Sequence, residues 1–340
     1  MVVNTRALNS GNITGVERYL LEVLSHITET KITKATPPLN LKSGLKGLFW
    51  ENFILPTQLN KQLLWSPTNL GPLLVKKQVV SIMDFTTIDH PEWFDKRFAL
   101  LYQTMLPIMA KRTLHTIAIS EYTKKRIVEE TKISESKVTV TLLAADNKFR
   151  PVGFDKVNEL KNRIGVQTNY VLVVGSLEPR KNLKRLFEAW SNWQNRPDDL
   201  EMLVAGGTGK AFKSIGFSDL PRGIKLLGRV SDEDLPILYS GSLFFIYPSL
   251  YEGFGLPPLE AMACGTPVIS SNTTSIPEVV GEAGLLINPN SVGEILDAIQ
   301  EMYKNTALRQ RYSKEGIERA KLFSWENTAK ETVNILKSFE

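Results

Sequence analysis

Short apolar runs alternate along the chain with longer amphipathic stretches, and this alternation predicts strands separated by helices. In the first half the predicted strands cover residues 2–5, 63–66, 78–83, 116–120 and 138–142, and in the second half residues 170–175, 200–205, 224–227, 242–247, 266–270 and 284–287. Continuous apolar runs are typical of strands buried on both faces. Each half is therefore expected to form a mostly parallel sheet with helices on both sides, which is an α/β fold.

The length of 340 residues exceeds what one hydrophobic core usually supports, so two α/β domains are expected. A polar, turn-forming stretch at residues 144–151 separates the two series of strands. The domain boundary is therefore expected between residues 149 and 150, with the hinge in this stretch.

The net charge is mildly positive, +5 from 41 lysines and arginines against 36 aspartates and glutamates. Basic residues do not cluster with aromatic residues as a base-stacking surface requires, so no nucleic-acid partner is expected. A basic lobe is compatible with peripheral contact to anionic lipid headgroups. The three histidines lack the spacing of metal ligands, and no metal is expected.

Cys264 is the single cysteine, which excludes an intramolecular disulfide and fits a reducing compartment. No run of about 18 apolar residues is present, and the first residues lack the apolar segment of a signal peptide. The sequence therefore predicts a cytoplasmic protein, for which the inner face of the plasma membrane is the surface available for peripheral contact.

The most distinctive stretch, residues 251–265, follows the predicted strand 242–247 and carries two glycines before Pro257. Pro257 is expected to open a helix, which would put Glu260 in the first turn, where free backbone N–H groups keep a carboxylate ionised. Glu252 lies eight residues earlier, on the loop. Two ionised carboxylates that converge beside a glycine-lined pocket suit a ligand rich in hydroxyl groups.

A second candidate site follows the strand 170–175, where Arg180 and Lys181 lie at the start of a predicted helix. A helix N-terminus favours an anion and repels cations such as Arg180 and Lys181. A diphosphate bound there would offset this repulsion. An exposed basic turn is the alternative interpretation.

Gly206 and Gly207 follow the predicted strand 200–205. Glycines at this point allow a ligand to approach the backbone, and they also suit a simple turn. Val204 occupies the position at which an ATP-binding phosphate loop requires glycine, so an ATPase is not expected.

Together these motifs resemble the signature of retaining glycosyltransferases of family 4, nucleotide-sugar-dependent enzymes with the GT-B fold, and the resemblance runs from Thr14 to the C-terminus. It implies two Rossmann-like doubly wound domains that face each other across a cleft. It also implies that a C-terminal helix at about residues 324–340 crosses back to the domain 1–149, leaving 150–323 as the nucleotide-sugar domain.

The resemblance also implies roles for individual residues. The glutamates at the positions of Glu252 and Glu260 contact the transferred sugar and the donor ribose in that family, and its Arg-Lys pair, here Arg180 and Lys181, binds the pyrophosphate. The implied donor-binding residues are Gly15, Gly175, Arg180, Lys181, Gly206, Gly207, Arg229, Val230, Glu252, Gly253, Phe254, Gly255, Leu256 and Glu260. The implied catalytic residues are Arg180, Lys181, Glu252, Asp84 and His90.

The chain departs from the family in residues 83–94, which are expected to form a long loop. Met83 stands where the family commonly has a histidine that reaches the donor sugar, and Asp84 follows it as in the family. His90 is a candidate substitute for that histidine, and a surface position before Pro91 is the alternative. A similar departure is Glu17. It stands where the family commonly has the third glycine of a glycine-rich loop that lies under the donor phosphates and sugar.

The sequence thus predicts a retaining, metal-independent hexosyltransferase without a cofactor. It would use a nucleoside-diphosphate sugar, with a UDP-hexose favoured over GDP-mannose, and a saccharide or lipid-linked saccharide acceptor in polysaccharide biosynthesis. No residue is assigned as a base, and the oligomeric state is not predicted. The alternatives are a nucleotide-sugar epimerase or a phosphorylase on the same fold, and a sugar-binding module, which is disfavoured by the missing signal peptide.

Overall fold

The computed structural model describes residues 1–8, 15–28, 30–41, 44–207 and 220–340. The chain forms two compact units, the first made of Met1–Pro91, Lys96–Leu143 and Ser324–Glu340 and the second of Glu92–Asp95 and Ala144–Phe323. Residues 144–149 belong to the second unit, whereas the sequence analysis assigned them to the first. Residues 9–14, which precede Gly15, and residues 208–219, which follow Gly207, lie outside the described residues.

The first unit is built on a parallel sheet. Its strands are β1 (Val2–Asn4), β2 (Thr33–Ala35), β3 (Leu64–Ser66), β4 (Gln78–Ile82), β5 (His115–Ala118) and β6 (Val138–Val140). Within the described residues the strand order is β2-β1-β3-β4-β5-β6, and every pairing is parallel. The order therefore reverses between β1 and β3, which makes the carboxyl ends of these strands the expected ligand edge of this sheet.

The second unit is built on another parallel sheet. Its strands are β7 (Asn169–Val174), β8 (Leu200–Ala205), β9 (Ile224–Gly228), β10 (Phe245–Tyr247), β11 (Val268–Ser271) and β12 (Leu285–Ile287). Across the described part of the unit the order is β12-β11-β10-β7-β8-β9, with all pairings parallel. This is the Rossmann order, and it reverses between β7 and β10.

Helices cover both sheets. They are α1 (Gly15–Ser25), α2 (Gly44–Phe49), α3 (Leu55–Gln58), α4 (Thr86–Asp89), α5 (Lys96–Arg112), α6 (Glu121–Thr131), α7 (Phe154–Ile164), α8 (Leu183–Asn192), α9 (Leu235–Gly241), α10 (Leu256–Ala263), α11 (Ile276–Val280), α12 (Val292–Lys304), α13 (Thr306–Ala320) and α14 (Trp325–Lys337). α1 to α6 and α14 belong to the first unit. A π-helical turn, Trp50–Ile54, joins α2 to α3.

Each unit has its own hydrophobic core, as a parallel sheet covered on both faces requires. In the second unit the indole of Trp190 on α8 is fully buried against strand residues such as Val171 and Ile246. In the first unit Val80 and Ile82 of β4 pack with α5 and α6. Local sequence also sets the start of α6, where the cap residue Ser120 accepts a hydrogen bond from the Thr123 N–H at 3.0 Å.

The structure differs from the sequence prediction in two elements that bear on the site. Residues 83–94 were expected to be a long loop, but they contain α4 and the 3-10 turn Pro91–Trp93. β2 was not predicted, because Thr33–Ala35 is a mostly exposed edge strand without an apolar run. Of the helices described here, none is long and apolar enough to cross a membrane.

Candidate functional site

The site of the second unit is built at the reversal of its strand order. Gly175 follows β7, and the stretch that contains Glu252 follows the neighbouring strand β10. Arg180 and Lys181 lie in the 3-10 turn Pro179–Lys181 before α8, so they enter from the β7 side. Ligands of parallel sheets bind outside the carboxyl ends of the strands at such a point, and these residues therefore occupy the expected ligand edge.

Glu252 is buried, with 7% of its surface exposed, and four side chains donate hydrogen bonds to it. Its Oε1 accepts from Lys181 Nζ at 2.6 Å, Tyr247 Oη at 2.8 Å and Ser249 Oγ at 2.6 Å. Its Oε2 accepts from Arg180 Nη1 at 2.7 Å. Lys181 Nζ also donates to the Tyr247 hydroxyl and lies 4.7 Å from the centre of its ring. The loop glutamate and the two cations are thus one connected group.

The charge state of this group follows from its surroundings. Burial would raise the pKa of Glu252, but the charges of Arg180 and Lys181 and the hydrogen bonds from Lys181 and Ser249 lower it to about 2. Burial and the neighbouring Arg180 lower the pKa of Lys181, while Glu252 and Glu178 oppose that change. Burial and Glu252 raise the pKa of Tyr247 well above its usual value, so its phenol stays protonated and donates to Glu252.

The structure revises the electrostatic argument made from the sequence. Arg180 Nε lies 2.9 Å from Oε2 of the buried Glu178, in addition to its ion pair with Glu252. Two carboxylates therefore balance the formal charges of Arg180 and Lys181 in the protein itself. A bound diphosphate is not needed to explain why the two cations are tolerated at this turn, and the case for a diphosphate rests instead on their fixed geometry at the ligand edge.

Two of the predicted donor-binding glycines, Gly175 and Gly206, lie in close packing after β7 and β8. Gly206 has a φ of +155°, and a Cβ there would lie 1.9 Å from the carbonyl oxygen of Gly175. Gly175 has a φ of +153°, and a Cβ there would lie 3.2 Å from Cε of Lys181. Gly206 thus allows the backbone after β8 to approach that of Gly175, and Gly175 leaves room for the Lys181 side chain.

The loop after Glu252 is fixed by its neighbours. The Glu252 N–H donates to Thr274 Oγ1 at 3.2 Å, and the Ser275 hydroxyl lies 2.9 Å and 2.8 Å from the carbonyl oxygens of Glu252 and Phe254. Gly253, Phe254 and Gly255 are buried, and Leu256, which is half-buried, begins α10. This loop is therefore preorganised around the Glu252 carboxylate.

Glu260 was expected in the first turn of a helix opened by Pro257, and this expectation is wrong. α10 begins at Leu256, so Glu260 is its fifth residue and lies in the second turn. Its carboxylate is buried and accepts a hydrogen bond from Tyr239 Oη at 3.3 Å. The helix N-terminus therefore does not explain the carboxylate's position, and Tyr239 of α9 is one of its contacts.

The remaining predicted donor-binding residues are dispersed over the described structure. Arg229 and Val230, after β9, line a cavity of about 330 Å³ together with residues of α7 and α9. Gly207 accepts a hydrogen bond from the Leu177 N–H at 3.0 Å. Gly15 is exposed in the first unit, where it begins α1.

In the first unit the residues predicted around Met83 follow β4. The Met83 side chain is 5% exposed, and its N–H donates to Asn69 Oδ1 at 2.6 Å. Asp84 Oδ1 accepts from the Thr86 N–H at 2.9 Å, which fixes the start of α4. His90 is half-buried and ends α4, where its N–H donates to the Thr86 carbonyl at 2.8 Å. The two candidate residues Asp84 and His90 thus lie at opposite ends of one short helix.

A buried polar cluster in the first unit was missed by the sequence analysis. Glu51, in the π-helical turn, is fully buried; its Oε1 accepts from Asn4 Nδ2 at 2.6 Å and its Oε2 lies 3.1 Å from Arg6 Nε. Burial raises the pKa of Glu51, and Arg6 opposes the rise. Asn4 ends β1, so this cluster lies at the reversal of the first sheet. The signal in the sequence was one glutamate inside an apolar helix.

Tyr247, Ser249 and Glu178 were also missed. Each is next to a recognised motif, since Ser249 precedes Glu252 by three residues and Glu178 precedes Arg180 by two. Hydroxyl side chains are common at strand ends, so their identity alone did not indicate a role. Among the described residues there is no group of three or more His, Cys, Asp or Glu side chains arranged to hold a metal.

Comparison with known proteins identifies the family. The model of the family described as glycosyl transferases group 1 matches residues 156–319. O-antigen chain mannosyltransferase B of Escherichia coli is 32% identical over 283 residues, covering 78% of this chain and 71% of that protein. The chain belongs to the group 1 glycosyltransferases. It is therefore an enzyme, and the buried Arg180–Lys181–Glu252 group lies within the family's matched region.

Other relatives are similar in part. The O-antigen chain mannosyltransferase RfbU of Salmonella typhimurium is 28% identical, covering 72% of this chain and 65% of that protein. The serotype-specific mannosyltransferase WbdA of Escherichia coli is 30% identical over 228 residues. These residues cover 62% of this chain and only 27% of WbdA.

Solved structures confirm the fold class. A crystal structure of Anabaena HepE in complex with UDP and glucose has a TM-score of 0.76 at 17% identity, with 99% of both chains covered. The lipopolysaccharide glycosyltransferase WaaG has a TM-score of 0.72 at 12% identity, also with 99% of both chains covered. The two six-stranded parallel sheets of the described residues thus correspond to the GT-B glycosyltransferase fold.

Proposed function

We propose that this glycosyltransferase moves a mannosyl residue from a nucleoside-diphosphate mannose to a hydroxyl group of a saccharide acceptor during assembly of a cell-surface polysaccharide. The observation that carries the chemistry is the buried group of Arg180, Lys181 and Glu252 at the reversal of the second sheet. The choice of mannose is supported by relatives named as O-antigen mannosyltransferases.

The identity of the nucleotide sugar is the more specific part of the proposal. The sequence analysis favoured a UDP-hexose, and HepE was solved with UDP-glucose, but at 17% identity that likeness shows the fold alone. The mannosyltransferases are more similar, at 28–32% identity. We therefore propose GDP-mannose as the first donor to test, with UDP-glucose as its rival.

Arg180 and Lys181 are proposed to bind the donor diphosphate and to stabilise it as the glycosidic bond breaks. Negative charge grows on the leaving oxygen at that point, and cations already held in place act most strongly on it. The side chain of Arg180 is 20% exposed and that of Lys181 8%, so Arg180 is the more accessible to a donor from solvent. With two cations in this role, the transfer is proposed to be independent of a metal.

Glu252 has a positioning role in this proposal. Its carboxylate accepts from both cations and from Tyr247 and Ser249, so it fixes both cations relative to the end of β10. As in the family 4 enzymes that the sequence resembles, it is also proposed to contact hydroxyl groups of the transferred sugar, and Glu260 the donor ribose. We propose retention of the anomeric configuration by same-face attack, in which the leaving phosphate oxygen accepts the acceptor's proton.

The acceptor is proposed to be a saccharide or lipid-linked saccharide bound at the carboxyl edge of the first sheet, where Arg6 follows β1 and Asp84 follows β4. His90, at the end of α4, is proposed to belong to the same site. This assignment is motivated by the second reversal point, between β1 and β3. The proposed location is the cytoplasm, at the inner face of the membrane that carries such acceptors.

The proposal is tested by supplying the purified enzyme with GDP-mannose, UDP-glucose or UDP-galactose and a panel of α-mannosides. Nucleoside diphosphate release and the glycosylated product are measured together. Release of GDP that requires an acceptor and gives an α-linked mannoside supports the proposal. Product from UDP-glucose alone would show that the proposed donor is wrong. Release of mannose 1-phosphate from an α-mannoside, when inorganic phosphate is supplied in place of the nucleotide sugar, would indicate a phosphorylase.

A further inference from the structure

The first unit exposes a row of large apolar side chains on one continuous helical stretch formed by α2, the π-helical turn and α3. Leu45, Phe49 and Phe53 are spaced four residues apart and have 84%, 53% and 60% of their surface exposed. The rings of Phe49 and Phe53 lie 5.1 Å apart between centres. The opposite side of the same stretch is buried, with Trp50 and Leu55 in the core. The stretch is therefore apolar on both its inner and its outer side.

Leu74 lies in a neighbouring loop and is 67% exposed. The loop is held against the π-helical turn by a hydrogen bond of 3.0 Å from the Leu73 N–H to Asn52 Oδ1. Val75 packs with the same core as Trp50. We call the surface formed by Leu45, Phe49, Phe53 and Leu74 the apolar face.

The chain segment that carries the apolar face is rich in lysine. Between residues 30 and 83 the sequence has seven lysines and one acidic residue. That acidic residue is Glu51, which is fully buried and lies 3.1 Å from Arg6. The lysines next to the face along the chain, Lys46 and Lys76, are exposed. The chain segment that carries the face is therefore rich in lysine, and its one acidic side chain is buried.

We propose that the apolar face docks on an anionic lipid bilayer. Apolar side chains that enter the interface, with lysines beside them at the level of acidic headgroups, are the pattern of helices that lie in a membrane surface. A second copy of the chain fits less well, because in a two-fold dimer the same lysines would face each other and repel. Lysine is also depleted at the core of protein interfaces.

The position of the face agrees with a lipid-linked acceptor, and in this respect the inference rests on the proposed function. Glu51 lies on the same helical stretch, between Phe49 and Phe53, and contacts Asn4 at the end of β1. The apolar face thus adjoins the edge of the first sheet at which its strand order reverses. An acceptor anchored in the docked bilayer would be presented beside that edge.

The docking is measured by flotation of the full chain with vesicles of phosphatidylethanolamine and phosphatidylglycerol, and with neutral phosphatidylcholine vesicles, without donor or acceptor. The wild-type protein is expected to float with the anionic vesicles and to be released by high salt. Replacing Phe49 and Phe53 together by Ser should reduce the vesicle-bound fraction at least about tenfold, since both rings would leave the lipid. Lys46→Glu with Lys76→Glu should weaken binding to the anionic vesicles only.

Phe154→Ser is the matched control, because Phe154 is 86% exposed at the start of α7 in the second unit. It should leave flotation unchanged, and circular dichroism should show that all variants are folded. Equal flotation of the wild type and the Phe49→Ser, Phe53→Ser variant would overturn the proposal. A wild-type dimer that this variant converts to a monomer would assign the face to self-association instead. Because no sugar substrate is present, failure here is distinguishable from failure of the proposed transfer reaction.

Discussion

Lys181 Nζ and Glu252 Oε1 lie 2.6 Å apart in a buried ion pair that joins the ends of β7 and β10. The strands are neighbours, so the pair bridges the point at which the order of the second sheet reverses. Removing one partner of a buried pair leaves the other charge uncompensated, which usually costs about 3–5 kcal/mol. The pair is therefore expected to matter for stability as well as for activity.

The first prediction concerns the pH dependence of stability. The pKa of Glu252 is lowered from 4.5 to about 2 in the folded protein. Its ionised form therefore stabilises the fold by about 3 kcal/mol above pH 4.5, and this contribution is lost as the pH falls from 4.5 towards 2. Glu252→Gln should be less stable than wild type at pH 7 in urea unfolding, and the difference should narrow below pH 4.5.

The control for this experiment is Glu282→Gln, since Glu282 is exposed. Its stability difference from wild type should be small and should not change with pH. A Glu252→Gln difference that stays constant from pH 7 to pH 3 would contradict the assigned charge state.

The second prediction concerns Glu260 as the proposed ribose ligand. Glu260→Ala should remove charge-assisted hydrogen bonds of about 1.5–3 kcal/mol and weaken nucleoside diphosphate binding about ten- to a hundredfold. Tyr239→Phe removes only the hydroxyl that donates to Glu260, so the affinity should change by about threefold or less. Calorimetry with GDP and UDP measures both. If Glu260→Ala binds both GDP and UDP with unchanged affinity, Glu260 is not a donor-binding residue.

The third prediction concerns the histidine that the chain lacks at Met83. If His90 takes its place, His90→Ala should lower the transfer rate while nucleoside diphosphate affinity stays the same, because the nucleotide is proposed to bind the second unit. His26→Ala, a change at the end of α1, serves as the control. A neutral His90→Ala would exclude His90 from the site. Met83→His is then the informative variant, although the Met83 side chain is only 5% exposed, so a loss of stability should be measured alongside activity.

The fourth prediction concerns the thiol of Cys264, which is buried at the end of α10. Burial, together with the charge of Glu260, raises its pKa to about 12. A thiol reagent at pH 8 should therefore leave the native protein unlabelled and label one thiol per chain in denaturant, since only the thiolate reacts. Fast labelling of the native protein would show that α10 opens readily.

The sequence predicted the strands of the second unit more fully than the contacts of the site. The runs 170–175 and 200–205 are apolar on both faces and correspond closely to β7 and β8. The edge strand β2 carries no such signal, because Thr33 and Lys34 are polar and exposed. Pattern recognition therefore works where both faces of a strand are buried and fails at an exposed edge.

The site was predicted as a set of positions, and its connections came only from the structure. Arg180, Lys181 and Glu252 were each singled out, but their union depends on the adjacency of β7 and β10, which are separated by some seventy residues in sequence. Glu260 was assigned to a first turn because proline commonly opens helices, yet α10 begins one residue before Pro257. Helix starts depend on the preceding backbone, here Gly255 at φ +118°, which a residue pattern does not specify.

The central claim is that Arg180 and Lys181 stabilise the leaving diphosphate in mannosyl transfer without a metal. It is tested most directly by comparing wild type and Lys181→Ala with GDP-mannose and an α-mannoside acceptor in the presence of EDTA, measuring kcat and the Kd of the donor. Wild-type activity should persist in EDTA, and Lys181→Ala should lower kcat by about a hundred- to a thousandfold while weakening donor binding much less. An unchanged kcat for a folded Lys181→Ala protein, or loss of wild-type activity in EDTA, would contradict the claim.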